Sequence, residues 1–302
     1  MEGSRQPQRF DLQSHSTFSD GELEPAAVVA EAAKAGVELM SLTDHDTVDG
    51  VSDALAAGER ESVAVVPAVE ISSVDDGRER PMDLHILGYL IDHSSPAFRQ
   101  TLADFVDDRR RRTLRMADGL RDCGFELDDT SINRRVQEGR SIGRVHVAEA
   151  ALTHPENAER LEREGANELG AFIRAYLVEG KPAFRLRETP TVAEAIEVIH
   201  DAGGVAIWAH PFWDLSEPAN VLATIDRFHG LAIDGVEAFY ITHTREQTDV
   251  IVERCSTLNL LTTGSADFHG PENSLFHSFL AFDLFGHEPK LGPIAHAASA
   301  RE

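Results

Sequence analysis

Side chains able to ligate a metal stand where strand-like hydrophobic runs stop: His15, Asp20, His45, Glu70, His85, His210, Asp267 and His269. One buried imidazole or carboxylate is ordinary, but eight of them closing successive βα units constrain the fold. Strand ends on one rim of an α/β barrel meet in space however far apart they lie in the chain. The pattern predicts a polynuclear metal centre that performs hydrolysis.

The first part of the chain alternates between two hydrophobic periods. Residues 9–13 read as a short strand, and 25–35 as a helix with Val28, Val29 and Ala32 inward, stopped by Gly36. Residues 37–42 read as a strand that delivers Asp44, His45 and Asp46, and 47–58 as a helix. Val63 to Val66 is a buried strand leading to Glu70, and 83–91 a further strand containing His85. This β-α-β-α order predicts a largely parallel sheet with crossover helices.

Between about 96 and 185 the texture becomes helical, with Phe98, Leu102, Phe105 and Val106 at helical spacing and further helices expected at 143–153 and 167–178. The run Asp107-Asp108-Arg109-Arg110-Arg111-Arg112 reads as a solvated helix face with local ion pairs. The alternative is an anion-binding role for one of its arginines. Strand and helix then alternate again. Thr191 and Glu194 have capping-box spacing, residues 205–209 form a strand delivering His210, and 235–240 another ahead of a helix at 244–257. Residues 260–264 deliver Asp267 and His269, and the final AHAASARE is expected to fray. The expected organisation is a discontinuous α/β barrel over 9–95 and 186–290, with an all-α insertion at 96–185.

Composition narrows the function classes. A net charge of −24 opposes extended, non-specific nucleic-acid binding, although cations and a few arginines can reverse the potential locally for a small anionic substrate. Lys34, Lys181 and Lys290 are the only lysines, so phosphate recognition falls to arginine. No run of about 20 apolar residues exists to span a membrane, and the opening MEGSRQPQRF lacks the apolar segment of a secretion signal. Cys123 and Cys255 form no CxxC pair, and a cytoplasmic location with structural thiols is expected.

Two segments carry most information, 11–21 (DLQSHSTFSDG) and 42–47 (LTDHDT). With Glu70, His85, Ala209-His210-Pro211 and 265–270 (SADFHG), they resemble the PHP (polymerase and histidinol phosphatase) family, from about residue 9 to 285. Within it the chain is similar to bacterial phosphoesterases that dephosphorylate 3′,5′-bisphosphorylated nucleotides and trim short RNA 5′ ends. The resemblance implies a distorted (β/α)7 barrel holding two or three divalent ions, usually manganese, iron or zinc. His15, Glu70 and Asp267 would hold one ion. Glu70 would bridge to a second, completed by His85 and His210, and Asp20, His45 and His269 would hold the third. Asp20, His210 and His269 are the candidates for direct participation in catalysis.

One position departs from the family pattern. Its first motif is His-x-His, and here it reads Gln13-Ser14-His15. An amide oxygen is a weaker donor than imidazole for these metals, so Gln13 is either a ligand or a hydrogen-bonding support behind one. Gly143-Arg144-Val145-His146 resembles the family's Gly-Arg-x-His element, which makes Arg144 the candidate for a non-scissile phosphate. His146 and Lys181 are weaker candidates. His243, just beyond a strand end, is expected to line the substrate site. The remaining histidines read as structural, and no Ser or Cys has the setting of a nucleophile.

The resulting expectation is a phosphoesterase that hydrolyses a phosphomonoester of a small metabolite, a 3′,5′-bisphosphorylated nucleotide, by metal-activated water. The alternatives are a 5′-3′ exonuclease trimming short RNA or DNA, a histidinol phosphate phosphatase, and a degenerate, non-catalytic metal-binding domain favoured by Gln13.

Overall fold

A computed structural model describes residues 9–138, 142–186 and 189–301. Most of the opening segment, read above as lacking a secretion signal, lies outside these. The chain begins β1 (Phe10–Asp11), α1 (Pro25–Ala35), β2 (Leu39–Leu42), α2 (Val51–Glu61), β3 (Ala64–Asp75) and β4 (Met82–Tyr89). Five helices follow: α3 (Pro96–Asp122), α4 (Thr130–Gln137), α5 (Arg144–Leu152), α6 (Ala158–Glu164) and α7 (Leu169–Tyr176). The barrel then resumes with α8 (Val192–Asp201), β5 (Val205–Trp208), α9 (Pro211–Asp214), α10 (Pro218–Gly230), β6 (Gly235–Tyr240), α11 (Arg245–Leu258) and β7 (Leu261–Ser265).

The seven strands pair in chain order and close into a barrel. Closure runs through Leu12 N donating to Gly264 O at 3.2 Å, His15 N to Phe268 O at 2.8 Å and Phe268 N to Gln13 O at 3.3 Å. Four pairings are parallel as expected, but β4 runs antiparallel to both β3 and β5. The reason is connection length. Residues 76–81 form only a hairpin loop, whereas a parallel return needs a crossover of a dozen residues or more.

Glu70 and His85 therefore sit inside strands rather than at strand ends, contrary to the premise of the sequence reading. β3 runs five residues past Glu70, and His85 lies opposite Ser72 on it. Glu70 stays at the rim level because the loop after β2 pairs with it: Asp46 N donates to Glu70 O at 2.9 Å.

Alternation along the strands splits the core in two. Leu12, Leu39, Val66, Ala68, Leu87, Tyr89 and Ile207 fill the barrel, while Met40, Leu42 and Val65 face α1 and α2 outside it. α1 ends at Gly36, whose φ of 79° places it in the left-handed region that caps helices. α2 starts four residues later than expected, because Thr47 to Gly50 form a turn in which Asp49 N donates to Thr47 Oγ1 at 3.2 Å. The helices between α3 and α7 own a separate core of Met116, Leu120, Phe125, Ile132, Val147, Leu161 and Phe172. 3-10 turns run over Gly292–Arg301, into the AHAASARE stretch expected to fray, and Ala295 at its start is buried against the barrel core beside Ile294.

Candidate metal centre

Four loops join β3 and β4 in delivering ligand-type side chains to the mouth, and each loop is held by its own hydrogen bonds. Asp44 accepts from Ser16 N and Ser16 Oγ, both at 2.7 Å, and from Ser19 Oγ at 2.6 Å. It thereby fastens the loop carrying His15 and Asp20 to the loop carrying His45. Burial raises the Asp44 carboxyl above its usual range, against these three donors. Beyond β5, His210 adopts a φ of 31° and its N–H donates to Glu237 Oε2 at 2.9 Å. Asp267 has a φ of 54° and accepts from Tyr240 OH at 2.8 Å. Left-handed backbone at non-glycine residues costs about 1 kcal/mol or more and persists where surrounding structure imposes it, commonly at functional sites.

Glu70, 1% exposed, is the hub. Its Oε2 lies 3.0 Å from His15 Nε2 and 3.6 Å from His45 Nδ1, and its Oε1 lies 2.6 Å from His85 Nδ1 and 3.3 Å from His210 Nε2. His15 Nε2 also approaches Asp267 Oδ1 at 3.1 Å. Asp20 spans the far side, with Oδ2 3.5 Å from His45 Nε2 and Oδ1 3.7 Å from His269 Nε2. All eight side chains expected at one centre thus converge.

The electrostatics follow from crowding charge where water is excluded. Burial works against ionising Glu70, but His45 and His85 hold its carboxyl well below the usual range. Burial likewise opposes charge on Asp20, and His45, His269 and His15 pull it well down. Burial would also suppress protonation of His210, yet the bond to Glu70 and the nearby Asp214 lift it to about 9. Burial does prevail at His45, whose pKa falls well below its ordinary value. A cation entering such a cluster displaces imidazole protons and takes over their attraction to the carboxylates.

The donor set fits divalent metal. His15 Nε2, Asp20 Oδ1, His45 Nδ1, His210 Nδ1 and Asp267 Oδ1 are all buried without a hydrogen bond, a costly condition for polar atoms. Three groups have ligand atoms within 4.8 Å of one another: His15, Asp20 and His269; His15, His45 and Glu70; and Glu70, His85 and His210. Mixed imidazole and carboxylate shells of this kind suit manganese, iron and zinc.

Comparison with known proteins agrees with this geometry. The PHP domain pattern matches residues 11–123. The chain is 31% identical over 265 residues to a 5′-3′ exoribonuclease of Haemophilus influenzae, covering 87% of this chain and 90% of that protein. The chain belongs to the PHP family. It is 29% identical over 264 residues to a 3′,5′-nucleoside bisphosphate phosphatase of Chromobacterium violaceum, with 87% of each covered. It also superposes on an amidohydrolase from Chromobacterium violaceum solved with sulfate and no metal, at a TM-score of 0.80 and 26% identity over 97% of this chain and 96% of that one. This PHP protein is a metal-dependent phosphoesterase with the family's barrel. Among its described residues, no helix is long and apolar enough to cross a membrane.

Arg144 lines a cavity of about 110 Å³ with Asp20, His45, His85, Arg109 and Arg112. The arginine run divides by helical phase. Arg110 and Arg111 pair locally with Asp107 at 3.0 Å and Asp108 at 3.3 Å, as a solvated face would. Arg109 turns inward instead and donates to Asp46 Oδ2 at 3.0 Å, Ser72 Oγ at 2.8 Å and Ile142 O at 3.2 Å. Arg112 pairs with Asp83 and donates to Arg185 O at 2.6 Å. The apolar stripe of α3 foretells this, because Leu102, Arg109, Arg112 and Met116 follow one another at spacings that keep a single helix face.

His243 does not line that cavity. It is 6% exposed, with Nδ1 3.0 Å from Ala238 O and Nε2 accepting from Phe212 N at 3.4 Å, so it braces the start of α9. His146 accepts from Gly143 N at 3.1 Å and closes the first turn of α5. Lys181 is exposed, in the loop after α7. Gln13 is buried beside the hub, its Nε2 donating to Glu70 Oε2.

Proposed function

We propose that this protein hydrolyses a phosphomonoester of a small phosphorylated nucleotide, a 3′,5′-bisphosphorylated nucleotide being the best fit, at a centre of two or three manganese, iron or zinc ions. The single observation that carries the reading is the convergence of His15, His45, His85 and His210 on the buried carboxylate of Glu70. When bound, divalent cations supply Lewis-acid activation of water and charge stabilisation at phosphoryl oxygens. His15, Asp20, His45, Glu70, His85, His210, Asp267 and His269 would hold them. Tyr240 keeps Asp267 oriented through its hydroxyl, and Glu237 keeps His210 oriented through the backbone. Asp20, His210 and His269 border the position of the scissile phosphate, and Arg144 takes the phosphate that is not cleaved.

In this reading residues 96–185 form a helical unit that roofs the mouth of a discontinuous barrel spanning 9–95 and 186–290. A cavity of about 110 Å³ has room for a phosphate group and little more. Together with the charge of −24, that favours a small substrate over an extended polymer. A cytoplasmic setting accords with two free cysteines. A second reading, trimming of short RNA from its 5′ end, is favoured by the similarity to the exoribonuclease. Phosphate release from 3′-phosphoadenosine 5′-phosphate, compared with nucleotide release from a short 5′-phosphorylated oligoribonucleotide, separates the two in manganese-supplemented buffer. Failure to cleave any phosphomonoester overturns the first reading.

A further inference from the structure

Two centre residues lead directly into aromatic side chains, the exposed Trp213 and the half-buried Phe276. Trp213 lies three residues beyond His210, and its N–H donates to His210 O at 2.8 Å. Phe276 accepts at its carbonyl from His269 N, also at 2.8 Å. The rings form a wall that begins at the imidazoles. His269 and Phe276 lie 5.2 Å apart between centroids, Phe276 and Trp213 5.6 Å, His210 and Tyr240 5.4 Å, and Tyr240 and Trp213 6.4 Å. Trp213 is 53% exposed, more than any other large hydrophobic side chain among the described residues. Leaving so much indole in water forgoes about 25 cal/mol for each Å² that burial would remove, so a partner is expected for it.

We propose that Trp213, backed by Phe276, is a stacking platform for the base of a nucleotide, so that the substrate class is set by a planar ring as well as by phosphate. This rests on the phosphoesterase reading above and deepens it. The arginine-lined cavity opens beside His45 and His85, whereas the aromatic wall starts from His210 and His269, so the two features occupy different edges of the centre. A nucleotide with two phosphates has one group for each of the three places: a phosphate at the centre, a phosphate at Arg144 and a base on the indole. A sugar phosphate leaves the indole uncovered. Stacking on an aromatic side chain tolerates any base, because every base has a π face.

The chain has two tryptophans, and Trp208 is fully buried in the core, so a ligand that changes exposed-tryptophan emission reports on Trp213. The full-length, metal-free protein is titrated with adenosine 5′-monophosphate and with ribose 5-phosphate while fluorescence is recorded. The nucleotide is expected to quench and the base-free sugar phosphate not to; equal responses overturn the proposal. In the manganese-supplemented protein, W213A is expected to raise the ratio of KM for the nucleotide to KM for ribose 5-phosphate by about 10-fold or more, with W213F restoring most of it. An unchanged ratio overturns the platform. If the wild type cleaves neither these compounds nor 3′-phosphoadenosine 5′-phosphate, the phosphomonoester reading fails, and the quenching experiment still decides whether a base stacks here.

Discussion

Gln13 donates its amide Nε2 to Glu70 Oε2 across 3.0 Å, while its Oε1 accepts from Ser265 Oγ at 3.3 Å. The amide thus turns its N–H, which cannot ligate a cation, toward the carboxylate that four imidazoles approach. Where the family pattern has a histidine, this chain has a hydrogen-bonding support for Glu70.

The metal content of three proteins tests that role. Q13A leaves Glu70 with one fewer donor and is expected to weaken metal binding by roughly 10- to 100-fold, the usual cost of removing a group that orients a ligand. Q13H introduces an imidazole and is expected to increase the metal retained per chain after dialysis. Elemental analysis reads both, and identical content in all three proteins would rule out any part for this position.

Glu70 itself should be far less tolerant. E70Q keeps the shape but removes the negative charge that His15, His45, His85 and His210 approach. Both retained metal and phosphate release are expected to fall by at least about 100-fold, beyond what a supporting residue costs. Wild-type turnover in E70Q would remove Glu70 from the centre of the chemistry.

Local periodicity made much of the barrel readable in advance. α1 and β6 begin and end at the expected residues because a capping glycine and a short apolar run ending in aromatics are local signals. The direction of β4 was not readable, since it depends on a six-residue connection that periodicity does not weigh against a crossover. The eight ligand-type residues were legible because together they match a family's motif set, although Glu70 and His85 lie inside strands rather than at their ends. Asp44, Glu237 and Tyr240 were not, because a carboxylate or phenol that orients a neighbour has no spacing of its own. Arg109 was hidden by its three neighbouring arginines, although the α3 stripe marks its face.

That inward arginine ties the helical segment to the barrel. Arg109 bridges Asp46, Ser72 and Ile142 O, and its side chain is 11% exposed against 0% for Asp46. R109A leaves Asp46 buried without its cation, which is expected to cost about 3 kcal/mol. Urea denaturation of the metal-free protein measures this, with R109K expected to lose less because it keeps the charge. A loss no larger than about 0.5 kcal/mol, typical of a surface substitution, would mean the pair is solvated.

His243 sets a pH dependence of its own in the metal-free protein. Burial depresses its pKa from 6.5 to about 4, and its neutral ring uses Nε2 to accept from Phe212 N while Nδ1 faces Ala238 O. Protonation puts a hydrogen on Nε2 and sets it against the Phe212 N–H. Because the folded pKa is the lower one, the unfolded chain binds more protons between the two values. Stability contributed by the neutral ring is therefore present above about 6.5 and is lost as pH falls toward about 4. Glutamine at 243 does not titrate, so the stability difference between about pH 7.5 and about pH 4.5 is expected to shrink by about 2–3 kcal/mol in H243Q relative to wild type. Denaturation curves of the chelator-treated proteins at the two pH values measure it. Equal pH sensitivity in both proteins would show that the ring admits water and titrates as an ordinary histidine.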